Sequence, residues 1–157
     1  RALVWGFLGL TIKLAFIIFT DGTIGFLQYM GLEEARSIMK AALSPEKIFI
    51  AFCISLFMNV IYAPVMMTFH KITDSHIVIH GGSLHALMRP IHFAEIFKQI
   101  NWDVQWGFVF KKTIPFFWIP AHTITFLLPA EFQVLFAALL SVALGIFLAV
   151  ASQKGRK

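Results

Sequence analysis

The chain has 157 residues, of which 59% are hydrophobic and only 13% charged, and its mean hydropathy is +0.80. That length fits one domain, and a soluble domain of that size could not bury so much apolar surface, so composition excludes an ordinary soluble fold and predicts an all-α integral membrane bundle. The net charge of +5 comes from Lys and Arg residues that flank apolar segments and do not gather with aromatics on one face, which fits anionic lipid headgroups and excludes a nucleic-acid surface.

The first span is predicted over residues 2–29. Residues 2–20, "ALVWGFLGLTIKLAFIIFT", can cross a hydrocarbon core of about 30 Å at about 1.5 Å per residue. A helix that continues to Tyr29 as a tilted span brings Asp21 near the membrane interior. Lys13 sits inside this segment. A central Lys costs roughly 2.5 to 3.5 kcal/mol on the insertion scale, while each neighbouring Leu, Ile, Val or Phe favours insertion by about 0.3 to 0.6 kcal/mol, so the helix still inserts. A signal peptide would share the basic start and the apolar run, but no small-residue cleavage site follows within reach. The first residue is Arg1 and not Met, so a processed or trimmed start is expected.

The second span is predicted over 45–69. "SPEK" opens it, with Ser44 as N-cap, Pro45 at the first helical position and Glu46 at the positive end of the dipole. Asn59 and Pro64 interrupt the apolar run, and both are tolerable where neighbouring helices satisfy the freed backbone groups.

Residues 70–103 are the polar part of the chain, with His70, His76, His80, His85 and His92 and a break at Gly81 to Ser83. Within it, residues 83–100 place Leu84, Leu87, Met88, Ile91, Ala94 and Phe97 at helical spacing, which predicts an amphipathic helix in the interface. The third span is predicted over 104–128, bent at Pro115 and Pro120, and the fourth over 129–151, with Glu131 in its first turn.

Four spans place Arg1, Lys71, Arg89, Lys98, Lys111, Lys112, Lys154, Arg156 and Lys157 on one side and only Arg36, Lys40 and Lys47 on the other. By the positive-inside rule both termini then face the cytoplasm of a bacterial cell, or the equivalent compartment of an organelle with an inner membrane.

In the fourth span Ala137, Ser141, Gly145 and Ala149 recur every four residues. Such a smooth ridge is a packing face, because small residues let helices approach closely in lipid. It is expected to pack on another helix of the chain, or on a second copy or larger membrane complex.

His122 and Thr125, three residues apart, share one helix face. An unpartnered polar group in hydrocarbon costs several kcal/mol by the order of magnitude for lost hydrogen bonds. That face therefore closes on another helix through hydrogen bonds or lines a polar passage. Lys13, Asp21 and Asn59 are the other polar groups inside predicted spans, and such groups are functional candidates by default.

Metal chemistry has a thin basis. His76 with His80, and His70 with Asp74, have i, i+4 spacing, but no second ligand pair follows a motif. No metal or cofactor is expected. The single cysteine, Cys53, lies in an apolar run and makes neither an intrachain disulfide nor a thiolate metal site. Enzyme signatures such as G-x-S-x-G, H-E-x-x-H or a phosphate-binding glycine loop are absent, so the chain is not expected to be an enzyme.

Two stretches carry a family resemblance. "APVMMTFHKITD" is similar to a pattern G-P-x-x-H-x-W-Y-x-x-L-D at Pro64, Phe69 and Asp74. "WIPAHTITFLLPAEFQVLF" is similar to W-x-P-x-Q-x-x-N-F followed by a proline and an aromatic R-V-L-F run, with Trp118, Pro120, Pro129, Phe132, Val134, Leu135 and Phe136 in place. Together they resemble the family of the peroxisomal membrane protein of twenty-two kilodaltons and Mpv-seventeen, small four-span proteins of peroxisomal and mitochondrial inner membranes with bacterial relatives. The resemblance implies a weakly selective pore for small solutes and puts forward Asp74, His122 and Thr125. With Asn59 and Asp21 these make the expected polar core of a pore for small solutes or ions. The alternative expectation is a non-catalytic structural or assembly subunit of a larger membrane complex.

Overall fold

The computed structural model of the chain describes residues 2–82, 86, 88–129, 131–140 and 142, and among them every regular element is helical. The protein is all-α.

Helix α1 runs unbroken over Ala2–Tyr29. It ends in a Schellman turn, because Gly31 takes φ 103° while Gly31 N donates to Gln28 O and Leu32 N to Leu27 O at 2.9 Å, satisfying carbonyls that the last turn would leave bare. A short helix that the periodicity does not predict, α2 (Ala35–Lys40), follows, held by the fully buried Ala35.

Helix α3 begins as its cap residues require: Ser44 accepts from Lys47 N and Pro45 opens the first turn. Its turns widen to a π-helical pattern over Met58–Tyr62, with Ala63 N donating five residues back to Met58 O. Pro64 explains this, since it lacks an N–H and its ring clashes with the carbonyl four residues earlier, and a wide turn relieves both.

The helix does not stop near Phe69 but runs over Pro45–Ile79, ten residues beyond the predicted end. His70, Asp74 and His76, expected in a polar connection, are helical. Ile72, Thr73 and His76 find something to be buried against on this extension, and the chain escapes only at a second Schellman turn, where Gly81 and Gly82 have positive φ and Gly82 N donates to Ile77 O.

The interfacial helix predicted over 83–100 is corrected over its described part, while Ser83, Leu84, His85 and Leu87 lie outside the described residues. Helix α4 covers only Phe93–Gln99, because Pro90 disfavours a helical residue before it and cannot donate to the ladder. Its buried face is also shifted: Ile96 and Ile100 pack on Ile72 of α3, while Ala94 and Phe97 are exposed.

Helix α5 spans residues 102–127 without a break. Asn101 caps it, accepting from Val104 N, its turns are wide over Gln105–Trp118, and Ile119–Leu127 returns to α geometry. Pro115 lies inside the wide region and Pro120 at its exit, again where proline removes donors. Helix α6 is described over Glu131–Leu140; Ser141, Gly145 and Ala149 of the predicted ridge lie outside the described residues.

The main core joins five helices, with Phe16, Ile24 and Leu27 from α1, Ala35 from α2, Ile50, Ile54 and Met58 from α3, Phe126 from α5 and Ala137 from α6. Ala137 thus packs within its own chain. Among the described residues two helices are long and apolar enough to cross a membrane, Gly6–Tyr29 and Pro45–Ile79, and only 28% and 44% of their most apolar stretches are buried. The 102–127 helix is less apolar, carrying Asp103, Lys111, Lys112 and His122.

Candidate functional site

Three polar side chains, Ser55, Asn59 and His122, meet where α3 crosses the C-terminal part of α5. Asn59 lies on the wide turn of α3 with no exposed surface. Its Nδ2 donates to Ser55 O at 2.8 Å, one turn earlier, and stands 3.0 Å from His122 Nδ1 on α5. With one amide hydrogen on the carbonyl, the other points at the ring, so Nδ1 accepts and Nε2 carries the ring proton. The Asn59 Oδ1 to His122 Nδ1 distance is 3.2 Å, so a protonated Nδ1 donating to the amide oxygen is the alternative pairing.

Ser55, completely buried, closes the same junction from below: its hydroxyl donates to Ile119 O at 2.7 Å. That carbonyl also accepts from Thr123 Oγ1 at 2.7 Å. It sits beside Pro120, where the ladder of α5 is already altered, and two hydroxyls supply it.

Aromatic rings enclose the histidine. Trp118 stacks on His122 with centroids 5.2 Å apart and planes at 29°, and Phe16 meets it edge-on at 5.9 Å. Phe16 in turn lies 5.0 Å from Phe126. The Trp118 Nε1 donor is buried and, among the described residues, the one such side-chain atom with no hydrogen-bond partner.

Thr125 is also fully buried, but its hydroxyl donates to Ala121 O of its own helix at 2.9 Å. The two residues expected to share one polar face therefore do different things: His122 reaches across to α3, and Thr125 is satisfied at home. A second polar link joins α1 to α3, where Tyr62 Oη donates to Thr11 Oγ1 at 2.8 Å.

Asp21 does not belong to this core. It is exposed and forms a 2.8 Å ion pair with Arg36 of α2, because the chain turns back at Gly31 and lays α2 beside the end of α1. Asp74 is half-buried on the same helix as Asn59, fifteen residues on, or roughly 22 Å at 1.5 Å per residue. Of the five residues expected in a common polar core, the fold brings together Asn59, His122 and, by helix only, Thr125.

Sequence reasoning missed Ser55, Trp118 and the Thr11 to Tyr62 link. The signal for Ser55 was present, since it precedes Asn59 by four residues in an otherwise apolar run and so shares its face.

Two surface grooves lie elsewhere and are apolar. One, of about 660 Å³, lies between the end of α1 and the start of α3 and is lined by Phe26, Met30, Phe49 and Phe57 among others; the other, of about 450 Å³, lies by Pro64, Phe69, Trp102 and Phe110. No group of three or more metal-ligating side chains occurs among the described residues.

No family model, curated protein or solved structure matches this chain.

Proposed function

We propose that this is a multi-pass membrane protein in which Ser55, Asn59 and His122 form an interhelical clasp, and that it serves as a non-catalytic structural or assembly subunit of a larger membrane complex. The observation that carries this reading is closure: Asn59 has no exposed surface and its hydrogen bonds end on Ser55 and His122. A clasp of this kind fixes the crossing of two helices, because hydrogen bonds between helices supply direction that van der Waals packing in lipid lacks. The apolar residues that remain exposed along α1, such as Leu3, Phe7, Leu10, Leu14 and Ile18, are at home against lipid or another subunit. The four-span arrangement with both termini on the cytoplasmic side, drawn from the charge distribution, belongs to this proposal.

The competing reading is the weakly selective pore implied by the family resemblance. It needs His122 and Asn59 to face water. Reconstitution at high density separates the two: liposomes containing the protein should be no more permeable to small solutes and ions than empty ones. Leakage that His122→Leu abolishes would overturn the clasp reading in favour of the pore.

A further inference from the structure

His76 and His80 close helix α3, one in its last turn and the other at its C-cap, and neither belongs to the clasp. Spaced four residues apart, they share one face of the helix. Their ring centroids stand 4.5 Å apart with planes at 66°. The buried His76 is also held from outside the helix, where its Nε2 lies 2.9 Å from Ala86 O in the following connection. A carbonyl oxygen can only accept, so Nε2 carries the ring proton and Nδ1 of the neutral imidazole keeps its lone pair.

Histidines that bind metals have this arrangement. One ring nitrogen donates to a backbone carbonyl, which fixes the tautomer and the ring orientation, and the other is left for the ion. The separation of the rings agrees. Imidazole nitrogens about 2.0 to 2.1 Å from a shared ion set their ring centroids roughly 5 Å apart, so the observed 4.5 Å needs only a small side-chain adjustment. The pair also stands at the C-terminal end of a helix, where the dipole favours a cation.

We infer that His76, through Nδ1, and His80 form a two-histidine site for a divalent transition-metal ion, with water in the remaining coordination positions. Imidazole ligands suit copper, nickel and zinc rather than magnesium or calcium, and among these the order of divalent affinities puts Cu2+ first. The same four-residue spacing on a helix presents both histidines of the H-E-x-x-H zinc motif to one ion. Bound here, the ion pins the last turn of α3, and through the His76 to Ala86 hydrogen bond the connection that follows it. The site stands independently of the assembly role.

Titration of the purified chain with Cu2+, in detergent and without a polyhistidine tag, tests it, with electron paramagnetic resonance as the second readout. The expected result is that the tightest-bound Cu2+ has two imidazole nitrogens in its coordination sphere. His76→Ala and His80→Ala should each weaken its binding about tenfold or more, since even loss of a group that only orients a ligand costs that much. His92→Ala removes an exposed histidine elsewhere and should leave the affinity unchanged. If the buried His76 does not tolerate substitution, the half-buried His80 decides the matter through His80→Ala alone. Binding indifferent to His80→Ala, a spectrum with fewer than two imidazole nitrogens, or no binding beyond that of protein-free detergent overturns the inference.

Discussion

Asn59 and His122, 63 residues apart in sequence, stand 3.0 Å from one another across the junction of α3 and α5. The pair forms because each lies beside a proline-induced irregularity: Asn59 on the wide turn before Pro64, His122 just after Pro120. Wide turns rotate the following residues relative to an ideal α-helix, and here that rotation turns two polar groups toward each other.

The pair should be measurable as a coupling. Asn59→Ala is expected to destabilise the detergent-solubilised protein by about 1 to 3 kcal/mol, since it strips a buried ring nitrogen of its partner. In a double-mutant cycle with His122→Ala the coupling should fall near 0.6 kcal/mol and not exceed about 1.7 kcal/mol, the range for hydrogen bonds between membrane helices. Denaturant unfolding of the four proteins checks it; a coupling of zero would mean that the clasp does not form.

Asp21→Asn should behave as a surface change. The Asp21 to Arg36 pair has side chains 59% and 51% exposed, and exposed pairs contribute about 0 to 1 kcal/mol. Stability should fall by no more than that and the difference should shrink in high salt. A loss of several kcal/mol would place Asp21 in a low-dielectric interior instead.

Trp118→Phe should cost little. The substitution keeps a ring against His122 while removing the buried Nε1 donor that lacks a partner. Burying an unsatisfied donor is unfavourable by about 1 to 3 kcal/mol, so its loss offsets the smaller ring, and unfolding should shift by less than about 1 kcal/mol or toward greater stability. Strong destabilisation would reveal a partner for the indole, such as a bound water.

The helical ends were the most legible features. Ser44, Pro45 and Glu46 announced the start of α3, and Ser44 does cap it. Caps are local, decided by a side chain and a backbone donor three residues away. Where α3 ends was not legible, because its last ten residues carry polar side chains, and the packing of Ile72 against Ile96 and Ile100 that accompanies the extension is a tertiary contact. The proline positions were readable as bends, but not the wide turns that absorb them.

The sequence by itself determined the all-α class, through long hydrophobic runs with helical caps, and it marked Asn59 and His122 as polar groups that must be satisfied inside. Only the tertiary structure decided their partners. It joined Asn59 to His122 and Ser55 to Ile119 O, satisfied Thr125 within its own helix, and drew Asp21 out to Arg36. The physical reason is that the cost of an unpaired buried polar group is a property of one residue, whereas the group that removes the cost is chosen by how helices cross and how prolines turn their faces.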